Sequence, residues 1–161
     1  MISYTISGVT DLVATISRLT DSIRAELKSE MEYIIADLTA GVVADKLSGQ
    51  VLNRVSGRLA AGVSGKVDDV AGGAITGTTF VSGVPYAAIQ EYGGTTSPHE
   101  ILPNVALALR FEVPGGIRFA ARVNHPGSKM PERSYLRSEL HDMSAQILQS
   151  LQDAVERGVA K

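Results

Sequence analysis

From Thr10 onward the apolar residues Leu12, Ile16, Leu19, Ile23, Leu27, Met31, Ile34, Ile35, Leu38, Val42 and Leu47 recur in steps of mostly three and four. Asp11, Arg18, Asp21, Arg24, Lys28, Glu32 and Asp45 fall between them. That spacing lays an apolar stripe along one amphipathic helix over about 10–47, with Thr10 as its N-cap and a close near Ser48-Gly49. Roughly 36 residues at about 1.5 Å each make a rod of about 54 Å. Such a rod is longer than a globule of this chain's size is wide. Either it breaks near Thr39-Ala40-Gly41, or another subunit covers part of the stripe; the second reading is preferred.

The remaining sequence has to supply what this helix packs on. At 161 residues and 17.0 kDa the chain suits a single domain over 1–161. Hydrophobic residues at 44% and charged residues at 20% argue against wholesale disorder. With no cysteine there is no disulfide framework, no thiolate nucleophile and no cysteine metal site, which leans towards a reducing compartment. No apolar run reaches bilayer-spanning length, and Met1 to Gly8 lacks the pattern of a signal peptide. The chain therefore reads as soluble and cytosolic. A net charge of -2 gives no overall pull towards nucleic acid.

Ahead of the helix, Ile2, Tyr4 and Ile6 alternate with Ser3, Thr5 and Ser7 as in a short strand. After it, Ser56 is placed to cap a short helical segment carrying Leu59 and Val63. Val67–Val70 and Ala74–Val81, interrupted by Gly72, Gly73, Gly77 and Gly83, suit two paired strands with glycine bends. These glycines form no phosphate loop, because no Gly-x-x-x-x-Gly-Lys-Ser/Thr is present. Pro85 to Gly94 reads as a short helical turn, opened by Pro85 and closed by Gly93, with Tyr86 and Ile89 on one face and Glu91 pointing elsewhere. Thr95 to His99 is loop. Ala108–Val113 and Ile117–Val123 flank Pro114-Gly115-Gly116 as a β-hairpin. The pleat then puts Leu109, Phe111, Val113, Ile117 and Phe119 on one side and Arg110, Glu112, Arg118 and Arg122 on the other. The sheet region spans about 64–123. A last helix over about 131–157 starts at Pro131 and carries Tyr135, Leu136, Leu140, Met143, Ile147, Leu148, Leu151 and Val155.

Catalytic chemistry finds no foothold in this pattern. His99, His125 and His141 fall on loop, turn and helix without the i, i+4 spacing of a helical metal pair. Ser64 and Ser128 lack a Gly-x-Ser-x-Gly elbow. Asp68 and Asp69, adjacent on a strand, face opposite sides and share neither a proton nor a metal. Glu91 reads with them as a surface carboxylate. Tyr86, Tyr92 and Tyr135 read as core or subunit-contact aromatics. Between Arg110 and Arg137 the chain is locally basic, with Arg110, Arg118, Arg122, Lys129, Arg133 and Arg137 against Glu112 and Glu132. That stretch is either an ordinary solvated surface or a face turned to phosphate or an acidic partner. No catalytic residue, metal ligand or cofactor-binding residue is assigned.

Four segments in order carry a family resemblance: Ser56-Gly57-Arg58-Leu59, Val84-Pro85-Tyr86-Ala87-Ala88-Ile89-Gln90-Glu91-Tyr92-Gly93, His125-Pro126-Gly127, and Pro131-Glu132-Arg133-Ser134-Tyr135-Leu136-Arg137. Together, over about residues 50 to 140, the chain resembles the tail-completion or head–tail joining (neck) proteins of tailed bacteriophages. It departs from the family pattern at Gln90, where an aliphatic residue is usual, at Ser134-Tyr135, where Pro-Phe is common, and at Ser138, where a proline often follows. The resemblance implies an α+β fold, with a long N-terminal helix and a C-terminal helix packed on a mainly antiparallel sheet. It implies a non-catalytic virion protein, made in the host cytoplasm and placed in the neck or tail. There, copies assemble as a ring, a hexamer or higher, against a head connector or adaptor ring and tail-terminator or tail-tube proteins, with no membrane involved. On this reading Tyr86, Glu91, Tyr92, Gly93 and Tyr135 contact other copies or partners. Arg110, Arg118, Arg122 and Lys129 line a lumen that DNA traverses or grip an acidic neighbour. The loop Thr95 to Ile101 orders on docking or is an ordinary surface connection. The alternatives are a tail-terminator or minor tail protein and, from another class, a nucleic-acid-binding module; a small hydrolase stands third.

Overall fold

A computed structural model of the protein describes residues 9–69 and 74–160, with side chains on the first helix from Ser17 onward. The strand expected over Ile2–Ser7, and the glycines Gly72 and Gly73, lie outside those residues. The first helix, α1, runs Val9–Gly41 over 33 residues. Thr10 therefore lies in its first turn and not at the cap. No break occurs at Thr39-Ala40-Gly41. Gly41 keeps helical dihedrals (φ −61°, ψ −43°), and the backbone passes into a π-helical segment, Val42–Gln50. Hydrogen bonds in a π turn reach five residues on. That suits Val42 and Leu47, the one five-residue step in the apolar stripe, which are 0% and 3% exposed. The segment ends, as the sequence predicts, at Ser48 and Gly49, where Gly49 takes φ +128°. There the Lys46 carbonyl accepts the N–H groups of Val51 and Leu52 at 3.2 and 2.9 Å.

The chain divides into two compact units, one formed by the chain up to Pro85 and from Ser134 onward, the other by Tyr86–Arg133. In the first, a short helix α2 (Arg58–Gly62) follows Gly57, which has φ +73°. The Arg58 N–H donates to Ser56 Oγ at 3.4 Å. Leu59 sits on α2, but Val63 opens a strand instead of closing the helix. That strand, β1 (Val63–Asp69), pairs antiparallel with β2 (Ile75–Val81), from Val63↔Val81 to Asp69↔Ile75. Gly65 and Gly77 lie on the face of this hairpin that packs on α1. A Cβ on Gly77 would stand 2.6 Å from Ile35 Cδ1 and 2.8 Å from Met31 Sδ, and one on Gly65 would meet Ile35 and Thr39. Gly77 is thus no bend: its missing side chain lets a helix lie close on the sheet.

The last helix, α4 (Leu136–Val159, 24 residues), runs antiparallel to α1. Glu139 packs against Gly41 near one end, and Gly158 against Ile23 at the other. It starts at Leu136 and not at Pro131 because the preceding chain is committed elsewhere. Lys129–Met130 pairs as a strand, and the Arg133 N–H donates to the Gln90 carbonyl at 2.9 Å. Tyr135 (1% exposed), Val42 and Leu47 form the centre of the core, surrounded by Leu52, Leu59, Val63, Val81 and Leu136. Each fully buried aliphatic side chain there contributes about 1.5–3 kcal/mol. Arg157 ties α4 to Glu26 and Glu30 of α1 at 3.2 and 2.5 Å. Near the opposite end of α4, Lys46 reaches Glu139 at 3.5 Å and Asp142 at 2.5 Å. The chain's own packing buries Ile34, Ile35, Leu38, Val42 and Leu47 of the apolar stripe, while Ile23, Leu27 and Met31 are half-buried. Ahead of them Ser17 to Asp21 are exposed, Leu19 by 37%.

The second unit begins with α3 (Ala87–Tyr92), closed by Gly93 at φ +68°. β3 (Gly94–Thr95) pairs with β8 (Lys129–Met130), β4 (His99–Ile101) with β7 (Val123–His125), and β5 (Leu109–Val113) with β6 (Gly116–Ala120), all antiparallel. The fold is α+β with long N- and C-terminal helices, as the resemblance implies. Among the described residues the strands form four separate two-stranded ladders where one sheet was expected. They extend from Val63 to Met130, past the expected limit at Val123.

Candidate interaction surface

The β5–β6 hairpin turns through Pro114 and Gly115, and its register sets Val113 opposite Gly116, Glu112 opposite Ile117, Phe111 opposite Arg118, and Arg110 opposite Phe119. Residues directly opposite each other share a face. One face therefore holds Arg110, Glu112, Ile117 and Phe119; the other holds Leu109, Phe111, Val113, Arg118 and Ala120. This overturns the single basic face. A three-residue turn would have set Val113 against Ile117 and gathered the arginines; the two-residue turn slips the pairing by one and exchanges the faces of β6. Arg110 and Arg118 point to opposite sides. Arg122 lies beyond β6 and pairs with Glu100 at 3.5 Å, and Lys129 belongs to the separate β3–β8 ladder. The structure does not bring the four cations together.

The hairpin instead presents apolar side chains. Phe119 is 69% exposed and Ile117 50%, while the opposite face is half covered at Leu109, Val113 and Ala120. Leu102, Val105 and Leu107, on the approach to β5, are also open. In the first unit, α4 carries a second open stripe of Leu148, Val155 and Val159, on the helix surface away from Ala154 and Gly158; Leu140, also open, is five turns before Gly158 and lies on its side of the helix. Sequence periodicity missed this stripe because Leu148 and Val155 also fit a broad core-facing pattern.

The Pro85–Gly94 turn forms where expected, with a different side inward. Ala87 and Glu91, four apart, are its buried residues, and Glu91 is 2% exposed. The outward, surface position expected for Glu91 is thereby corrected. Tyr86 and Tyr92 are exposed by 39% and 65%. Gly93 packs beside the backbone of Met130 and Glu132, where a Cβ would come within 2.8 Å of the Glu132 nitrogen. Tyr135 is a core residue. Of the five residues expected at contacts, Tyr86 and Tyr92 present side chains outward.

His99 and His125, read in the sequence as scattered, face each other across β4 and β7, with ring centroids 5.0 Å apart and planes at 29°. His125 Nδ1 accepts the Gly127 N–H at 3.1 Å, so its proton sits on Nε2 when the ring is neutral. His99 Nδ1 lies 3.1 Å from the Ser97 carbonyl and donates to it. No local signal announces this pair, since each strand is three residues long. His141 is on α4, in the first unit. Among the described residues no group of three or more His, Asp or Glu is placed to hold a metal ion. Asp68 pairs with Lys66 at 2.6 Å, and Asp69 takes Arg24 and Lys28. The two carboxylates face apart, as their adjacency predicts. An apolar groove of about 400 Å³ beside α1 is lined by Ile23, Leu27, Met31, Ile75 and Leu151, with Thr20 and Arg24 its polar members. No described helix is long and apolar enough to cross a membrane. No family model, curated protein or solved structure matches the chain.

Proposed function

We propose that the chain is a structural subunit of a tailed-phage neck, a tail-completion or head–tail joining protein that works by assembling with copies of itself and with adjoining rings, without a reaction of its own. The observation that carries this reading is the pair of apolar surfaces one copy leaves open: the Ile117–Phe119 face of the β5–β6 hairpin and the Leu148–Val155–Val159 stripe of α4. Scattered exposed apolar residues are ordinary, but clustered ones mark interaction sites. The ordered run of motifs from Ser56 to Arg137 supplies the particular assembly.

A free-standing nucleic-acid module would gather cations on one face to displace counterions, and the hairpin register separates Arg110 from Arg118. The structural reading is therefore preferred. Particles produced without this chain test it. Adding the purified protein should restore attachment of tails to heads, and imaging of the restored particles should place a ring of its copies at the junction. Particles that join normally without it, or images that place it elsewhere in the virion or nowhere, refute the proposal.

A further inference from the structure

We infer that the open face of the β5–β6 hairpin of one copy packs on the outer α4 stripe of a second copy, so that successive copies join head to tail. The inference rests on the assembly reading above and names the surfaces that meet. Three observations support a second copy as the occupant. The first is composition: Ile117 and Phe119 on the hairpin, and Leu148 and Val155 on α4, are large apolar side chains left open in one copy.

The second is length. Five-residue strands at about 3.4 Å per residue give a hairpin of about 17 Å. Leu148 to Val159 spans about 16 Å along a helix at about 1.5 Å per residue. The apolar part of the hairpin, Ile117 to Phe119, covers about 7 Å of that length and so lies within the stripe.

The third is charge. Arg110 shares the open hairpin face with Phe119, and Glu156 follows Val155 on the exposed flank of the α4 stripe. Seating the hairpin on the stripe brings a guanidinium to a carboxylate at the rim, where such pairs fix register and steer association. Glu112 shares that face opposite Ile117, the next pair along it from Arg110 towards the turn. Because the two patches differ, the contact is heterologous, and repeating it closes a ring if the rotation between copies allows.

The absence of cysteine from the chain makes site-specific cross-linking clean. Phe119→Cys and Leu148→Cys each alter an exposed side chain, so both variants should keep the wild-type circular dichroism spectrum. They are made separately and together in the full chain and oxidised from about 1 µM to about 1 mM protein, beside native mass measurements of the unmodified protein. An equimolar mixture of the single variants should give a covalent 119–148 dimer, and the double variant a series of larger multimers. Arg110→Glu and Glu156→Arg should each lower cross-linking at least about fivefold, and the two combined in one chain should restore it.

Oligomers without the 119–148 link, or single variants that cross-link only to themselves, overturn this contact and leave the assembly reading standing. Failure of the combined charge reversal to restore what each reversal loses counts against the contact in the same way. A protein that stays monomeric and unlinked throughout the range overturns the contact and removes self-assembly of the free subunit with it.

Discussion

Replacing Lys46 by Met tests how the end of the long helix is tied to α4. Lys46 is 7% exposed, and its ammonium meets Glu139, also 7% exposed, at 3.5 Å, Asp142 at 2.5 Å and the Gln50 side-chain oxygen at 3.0 Å. Met fills nearly the same volume without the charge. Glu139 is then left as a buried carboxylate without its cation. Breaking a buried pair from one side costs about 3–5 kcal/mol. The low end, about 3 kcal/mol, applies here because Asp142, whose side chain is 57% exposed, falls back on water. For a chain of this size that loss lowers Tm by about 6–12 °C. Adding Glu139→Gln to the variant removes the stranded charge and should recover more than half of the loss, which urea unfolding of both variants will measure.

The pH dependence follows from the same contacts. The hydrogen bond to Asp142 raises the Lys46 pKa above its usual 10.5, so this stabilisation is complete below that value and fades as pH rises through the folded value. The hydrogen bond from Lys46 lowers the Asp142 pKa below its usual 3.8, so this contribution is present above that value and fades as pH falls through the folded one. The stability difference between wild type and Lys46→Met should stay level from about pH 5 to about pH 9 and shrink outside that range. A loss under about 1 kcal/mol, or no recovery on neutralising Glu139, refutes the view that these charges hold α4 to the helix end.

Gly158→Ala should destabilise by about 2 kcal/mol despite the better helix propensity of alanine. Its Cβ would stand 2.5 Å from the Ile23 Cα, a backbone atom that cannot turn aside, and thermal unfolding followed by circular dichroism gives the sign. Gln90→Leu should stabilise by about 1 kcal/mol, because the Gln90 side-chain oxygen is buried with no hydrogen-bond partner among the described residues and leucine leaves no acceptor behind. A loss of stability in the same urea assay would show that this oxygen is satisfied in solution.

The long helices were legible because period 3.6 over many turns is a strong signal, and the close at Ser48-Gly49 was legible because glycine alone suits φ +128°. The β5–β6 hairpin was legible in place but not in register. Pro114-Gly115-Gly116 permits a two- or three-residue turn, and that one-residue choice decides where Arg118 points. The start of α4 was misread because Pro131 is a good first helical residue in isolation, while the bond from Arg133 to Gln90 is made by chain 43 positions away in sequence. The same limit hid the His99–His125 pair and the role of Gly77: both depend on which distant element lies alongside, and period and propensity carry no record of that. The burial of Glu91 ran against a sound expectation for a carboxylate, and only the packed chain reveals it.

Between Val42 and Leu47 the first helix holds one more residue than an α turn would take. Excising Ala44 would set Val42 and Leu47 four positions apart, the spacing that stays in line on a regular α turn, so the side chains beyond would keep their direction. The wider turn absorbs that surplus residue, and a greasy seam and a sunken cation emerge from neighbouring positions at the same end of one rod.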